Sequence, residues 1–264
     1  MATASIPVPP LPKRGSKPVP LLFLDTNALH YARLHLDFLK KHCLVPFGPR
    51  TDPPSEVLER VMRGKMVEGY EKGEKVVQYL KHQASKGARV EFAPVTRLEM
   101  ACGLLRGKAM LSAAGEGTPG QMWTRFSEVD IALRLGASAY GFAQRTTAEI
   151  EDQFDAVGID LSETDPARSP EVWALARFLL GLVFLDVGDC AVYASAVVAM
   201  AEKIITYDRH LTNTATYLRN PANAPEGPQR QWYTKANRRL LAGLSRNLGV
   251  KPGAISLPVP HKPK

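Results

Sequence analysis

The stretch LLFLDTNALHYARLHLDFLKK, residues 21–41, sets the frame for the whole chain. Leu21 to Leu24 form a short unbroken apolar run, the pattern of a strand buried on both faces. The run stops at Asp25. Beyond it Leu29, Ala32, Leu36 and Leu39 recur at helical spacing and predict an amphipathic helix. The unit is therefore strand, acid, helix. It returns at KIITYDRHL, residues 203–211, where a strand over 203–207 ends at Asp208. Between the two, ARVEFA (88–93) reads as a strand closed by Pro94, and Thr96 opens a helix with Glu99 in its first turn. A short apolar segment at 182–185 leads through Asp186, Val187, Gly188 and Asp189 into a very apolar helix, CAVYASAVVAMA, residues 190–201. Alternating strands and helices predict an α/β fold, a three-layer α/β/α sandwich with a mostly parallel sheet.

The remaining segments fill in this plan. Residues 46–55 are turn-rich, 56–70 form a charged helix, and 74–86 form another that ends at Gly87. A glycine-rich loop is expected at 112–121 and a long helical stretch at 122–143. Residues 144–155 continue that stretch or begin another. A short strand or turn follows at 156–161, a loop at 163–170 and a helix at 171–180. Residues 219–231 carry three prolines, and a basic helix spans 232–248. Its Leu240, Leu241, Leu244 and Leu248 fall on a face suited to docking, while Lys235, Arg238, Arg239 and Arg246 stay outside. From Lys251 the chain is proline-rich and extended. The organisation expected is a proline-rich arm at 1–20, a domain at 21–218 and a basic tail at 219–264.

Charge is unevenly spread. The formal net charge is +8. Residues 211–264 hold nine Lys and Arg against the single acid Glu226, so the positive field belongs to this segment. Such asymmetry suits a polyanion such as RNA or DNA, or else a solvated terminus. Cys43, Cys102 and Cys190 are far apart and make no CxxC pair. Neither a disulfide framework nor a cysteine zinc site is indicated, so a reducing, cytoplasmic setting is expected. Residues 1–20 do not read as a leader. The apolar tract at 174–201 is broken by Arg177, Asp186 and Asp189, so no membrane association is expected.

The placement of the acids carries the chemistry. In a parallel sheet every strand ends at one edge, and every following helix begins there. Asp25, Glu99, Asp189 and Asp208 all sit at strand ends or helix starts, so they can converge across 183 residues. Each also has a local explanation. Asp25, Asp189 and Asp208 suit helix N-caps, and Thr96 with Glu99 fits a capping box. Together they say more, because neighbouring carboxylates raise one another's pKa unless a cation compensates. Mg²⁺ or Mn²⁺ is the hard ion that carboxylate oxygens favour. An ion so held can activate water against a phosphodiester. Asp186 stands three residues before Asp189 and is expected to be a secondary ligand, since Gly188 interrupts the turn between them. His30 and His210 lie near the acids in sequence and read as packing or surface residues.

At these positions the chain resembles the PIN domain family, above all the ribonuclease toxins of bacterial and archaeal toxin–antitoxin pairs. The resemblance rests on LFLDTNAL (22–29), APVTRLEMACGLLRG (93–107), FLDVGDCAVYASAVVAM (184–200) and KIITYDRHL (203–211). It covers roughly residues 21–215. It implies the α/β/α fold and Mg²⁺- or Mn²⁺-dependent hydrolysis of RNA by an endoribonuclease. Asp25, Glu99, Asp189 and Asp208 would be the catalytic and metal-binding acids, with Asp186 as an added metal contact and Thr206 and Asn27 as orienting polar residues. It also implies homodimers and a small antitoxin partner. The segment near 41–70, the long middle region and the basic segment depart from the smaller toxins. Lys235, Arg238, Arg239 and Arg246 are the expected nucleic-acid contacts. The alternatives are a non-catalytic nucleic-acid-binding or scaffold protein of the same fold, a DNA nuclease, and an aspartyl phosphotransfer enzyme. The last requires a second aspartate where Asn27 stands.

Overall fold

In the computed structural model, which describes residues 19–42, 65–117, 127–248 and 255–264, the run Leu21–Leu24 forms the central strand, β1. It is followed by α1 (Thr26–Lys41), α2 (Lys65–Ala84), β2 (Arg89–Phe92) and α3 (Pro94–Gly115). Next come α4 (Glu128–Arg134), α5 (Ala137–Ala148), α6 (Ile150–Asp155), β3 (Leu161–Glu163) and a 3₁₀ turn at Pro166–Arg168. The chain continues through α7 (Ser169–Leu180), α8 (Val187–Val198), β4 (Lys203–Ile205), α9 (Arg209–Arg219), a second 3₁₀ turn at Pro221–Asn223, α10 (Pro228–Leu248) and β5 (Val259–His261).

The five strands form one sheet in the order β3-β2-β1-β4-β5, and every pairing is parallel. Leu22 pairs with Val90 on one side and Lys203 on the other. The chain leaves β1 to build one flank, β2 then β3, and returns to the opposite side of β1 to add β4 and β5. The order therefore reverses between β1 and β4. In open α/β sheets, the crevice beyond the strand ends at such a reversal is where ligands bind.

Side chains alternate across the strands with a period of two. Leu22, Leu24, Val90, Phe92, Leu161 and Ile205 point into a layer built mainly by α1, α2 and α6. Phe23 and Ile204 point the other way, into a layer built by α7, α8, α9 and α10. The expected three-layer α/β/α sandwich is what the chain forms. Leu29, Ala32, Leu36 and Leu39 are all buried, as their spacing predicts. α1 and α2 approach closely, because a Cβ on Gly73 would collide with the Tyr31 carbonyl oxygen.

Several boundaries differ from expectation. α3 begins at Pro94, the residue expected only to close the strand, and runs through Gly115. Proline is well suited to a first helical turn, where its missing N–H has no partner to lose. Within the described part of 122–143 the helix is interrupted at Leu135 and Gly136, and a new one starts at Ala137. Residues 156–158 are a turn, with Gly158 at φ 78°, and the strand comes later, at Leu161–Glu163. The basic helix starts earlier, at Pro228. Its Leu240 and Leu244 are buried in the core, and Leu241 is partly buried against it. The segment 259–261, expected only to be extended, is the edge strand β5. Pro260 fits there because Val259 and His261 make the bonds to the β4 side, so its missing N–H costs the ladder nothing. Most of the proline-rich arm, Cys43 and the start of the helix expected at 56–70 lie outside the described residues.

Candidate functional site

The acids sit at the carboxyl edge of the sheet, around the β1/β4 reversal. Asp25 follows β1, and its backbone N–H bonds the Ile205 carbonyl at the end of β4. Its carboxylate is nearly fully buried, at 2% exposure. Oδ1 accepts from the Thr26 N–H at 2.7 Å, which makes Asp25 the N-cap of α1. Oδ2 accepts from Thr206 Oγ1 at 2.7 Å. The Thr206 oxygen in turn accepts from the Asp208 N–H at 2.9 Å. One buried hydroxyl thus ties the ends of β1 and β4 together. Asp208 caps α9, its Oδ1 accepting from the Leu211 N–H at 2.9 Å.

Glu99 reaches the same edge from α3. The capping box with Thr96 does not form, because the helix has already started at Pro94 and Thr96 lies inside it, fully buried. Glu99 instead accepts a hydrogen bond from Thr26 Oγ1, which also lies 3.4 Å from Thr96 Oγ1. Thr26 therefore bonds Asp25 with its backbone and Glu99 with its side chain. It was not among the residues the sequence singles out. Its position directly after the strand-ending acid is the one signal that could have found it.

Asp186 and Asp189 divide their duties differently from expectation. The helix α8 begins at Val187, so Gly188 lies within the helix and does not interrupt it. Asp186 is the N-cap, and its Oδ1 accepts from the Asp189 N–H at 2.7 Å. Asp189 sits in the first turn with its carboxylate released from capping. Gly188 has a second role that spacing does not reveal. A Cβ there would run into Glu99 Oε1 and stand 3.4 Å from Asp186 Oδ1. Glycine lets the start of α8 close against the Glu99 carboxylate.

The electrostatics record this crowding. Burial pushes Asp25 up to about 6; the bonds from Thr206 and the Thr26 N–H oppose the shift, and the charges of Asp208 and Glu99 add to it. Asp189 is pushed up to about 7, first by burial and then by the charges of Asp186, Asp25, Asp208 and Glu99. Asp189 therefore feels the charge of all four other carboxylates. Among the described residues, no three Asp, Glu, His or Cys side chains stand close enough to make a ready cage for a metal ion. The starts of α1, α8 and α9 meet at this edge and bring their positive dipole ends toward it.

Other expected residues fall elsewhere. Asn27 is exposed and, among the described residues, makes no hydrogen bond to the acids. His30 is largely buried, which lowers its pKa to about 4, with Arg33 adding to the effect; it is neutral at pH 7. His210 is exposed. Lys235, Arg238, Arg239 and Arg246 are exposed on α10. This helix advances alongside α9: Tyr233 Oη lies 3.4 Å from Thr214 Oγ1, and Asn237 Nδ2 donates to the Leu218 carbonyl at 2.6 Å. Leu218 is roughly 15 Å along α9 from Asp208 at 1.5 Å per residue. Arg238, Arg239 and Arg246 therefore lead away from the acids. Among the described residues, no helix is long and apolar enough to cross a membrane. Comparison with models of known families, with curated proteins and with solved structures finds no match to this chain.

Proposed function

We propose that the chain is a Mg²⁺- or Mn²⁺-dependent endoribonuclease, in keeping with its resemblance to the PIN domain toxins. The observation that carries this reading is the concentration of unneutralised carboxylates at the β1/β4 reversal, with Asp25 and Asp189 both raised toward neutral pH. Burying acids together without a cation is costly, and proteins keep such arrangements chiefly where the site has work to do. The chemistry of the donors suits a hard divalent ion, because every candidate ligand is a carboxylate and none is a thiol or imidazole, and the ion would have to draw these side chains closer than they stand.

Asp25 and Asp208 would hold the ion, with Glu99, Asp189 and Asp186 completing its surroundings directly or through water. When bound, such an ion supplies Lewis-acid polarisation of a phosphoryl oxygen and lowers the pKa of a coordinated water. The protein's own groups do the positioning. Thr206 fixes the Asp25 carboxylate and the start of α9 with a single hydroxyl. Thr26 orients Glu99. Asp186 takes over the capping of α8 and leaves Asp189 available. The helix starts at this edge favour an approaching phosphate.

The direct experiment incubates a mixed single-stranded RNA with the protein, with and without Mn²⁺, beside an Asp25→Asn variant. Cleavage by the first protein alone, and only with the ion, supports the reading. RNA binding without cleavage by either protein would move the chain to the scaffold alternative.

A further inference from the structure

A second feature flanks the acids and is not used by them. Phe184, two residues before Asp186, is 81% exposed. Its ring stacks on Trp232 at the start of α10, with centroids 5.6 Å apart and planes inclined by 27°. Trp232 is itself 47% exposed. Its Nε1–H donates to the Leu182 carbonyl at 2.6 Å, which fixes the indole against the segment leading into α8. Two adjoining exposed aromatic rings are costly to leave in water, and their place beside a functional edge asks for an occupant.

The charge around them says which. Arg239 and Arg246 follow Trp232 at successive intervals of seven residues, a spacing that drifts only about 20° per step around a helix. Lys235 lies one turn after Trp232, near the same line. Tyr233, Ala236, Leu240 and Leu244 are buried on another side of the helix. α10 thus carries an exposed stripe about 21 Å long, at 1.5 Å per residue, with an aromatic pair at the end nearest the acids and cations along the rest. Aromatic faces joined to a basic track are the means by which unpaired nucleic acid strands are held. A protein partner that covers an apolar patch would not by itself require the line of cations.

We propose that Phe184 and Trp232 form a stacking platform for an unpaired base of single-stranded RNA, whose backbone follows Lys235, Arg239 and Arg246 along α10. This inference rests on the nuclease reading for its substrate. It gives the basic residues remote from the acids a purpose, because the platform links their stripe to the cleavage edge.

The test measures anisotropy of a fluorescein-labelled single-stranded oligouridylate, using full-length protein without divalent ions so that no cleavage intervenes. Phe184→Ala should weaken binding about tenfold, as expected for loss of one stacked base, while leaving the melting temperature unchanged. Phe184→Tyr should restore binding, and Arg239→Glu with Arg246→Glu should weaken it further and flatten its salt dependence. Binding to a blunt RNA duplex should not respond to Phe184→Ala. Unchanged oligouridylate affinity in both Phe184→Ala and the double arginine variant would overturn the proposal. So would concentration-dependent self-association of the parent that Phe184→Ala abolishes without touching RNA affinity. Cleavage with Mn²⁺ is scored separately: intact cleavage with unchanged KM in these variants removes the platform but not the nuclease, whereas platform-dependent binding with no cleavage does the reverse.

Discussion

Two groups of carboxylates stand on the same edge of this sheet and are treated in opposite ways. Glu163 ends β3 much as Asp25 follows β1, yet Arg97 reaches it from α3, its Nε 2.7 Å from Glu163 Oε2. The same guanidinium bonds Glu151 on α6 and the Thr147 carbonyl, and lies over the Phe92 ring. Burial disfavours the Arg97 charge, but its bonds to Glu151 and Glu163 hold its pKa above the ordinary value. Here one cation satisfies two acids and clasps α3, α6 and β3. Around Asp25 the partners are hydroxyls and backbone N–H groups, which orient carboxylates without cancelling their charge. Two residues farther along α3 from Arg97, Glu99 faces this second group. An acid at a strand end is thus a structural or a functional group according to whether the fold supplies its countercharge.

Removing a carboxylate from each group should separate the two roles most sharply. Asp25→Asn keeps an acceptor oxygen for the Thr26 N–H and turns an amide N–H toward Thr206, whose hydroxyl oxygen can accept it. It should lower ion-dependent RNA cleavage on the order of 100-fold or more, the scale of losing several kcal/mol of metal-assisted stabilisation. The apo melting temperature should hold or rise, since a buried charge has gone. Glu163→Gln should leave cleavage within a few-fold. Equal loss of activity in both variants would erase the distinction.

Arg97→Met attacks the compensated group from the other side. It strands Glu151 and Glu163 and unpins α6 from α3. Breaking a buried pair costs about 3–5 kcal/mol, and the partial exposure of these side chains reduces the expectation to about 2 kcal/mol. Urea unfolding would report it as a lower midpoint with an unchanged slope. A midpoint that does not move would show the clasp to be dispensable.

Much of this was legible in the sequence, and the exceptions have physical causes. β1, α1 and the positions of Asp25 and Asp208 were readable because a buried parallel strand writes itself as an apolar run and a polar residue ends it. β5 was not recognised as a strand, since Pro260 is tolerated only because its open side faces away from β4. The interchange of Asp186 and Asp189 turns on a helix that starts at Val187, a matter of one turn that spacing leaves undecided. Glu163 and Asp25 look alike in sequence. What tells them apart is Arg97, which is 66 residues from Glu163.

The uncompensated group should also be visible in the pH dependence of stability. Asp25 and Asp189 have folded pKa values raised to about 6 and about 7. Between the ordinary aspartate range and those values, the folded state binds more protons than the unfolded chain, so stability falls as pH rises. Their contribution is fully present below about pH 4 and is lost through pH 6 to 7. The rise of Asp25 alone corresponds to a loss of about 3 kcal/mol, and Asp189, discounted for its partial exposure, brings the total to the order of 4 kcal/mol. A divalent ion should recover it, so Mn²⁺ should raise the melting temperature more at pH 7.5 than at pH 5. An equal rise at both pH values would mean that the ion binds away from these acids.

The smallest effect sought is at Gly188, where the two acids of α8 meet Glu99. Alanine is a better helix former than glycine and should favour α8 by about 0.5–1 kcal/mol in isolation. Its methyl group, however, occupies the position of Glu99 Oε1, so the Glu99 side chain must turn away from Thr26 Oγ1. The neighbour that yields is a flexible side chain and not backbone, so the fold survives and the melting temperature should shift by only a few degrees. Cleavage should fall about tenfold, the cost of misplacing one carboxylate, while Thr26→Val, which removes the same hydroxyl without adding bulk, should fall by a similar factor. Agreement between the two would show that Glu99 acts through its orientation. A Gly188→Ala protein with full activity would mean that Glu99 serves the site from a different rotamer, and that the close approach of α8 is only packing.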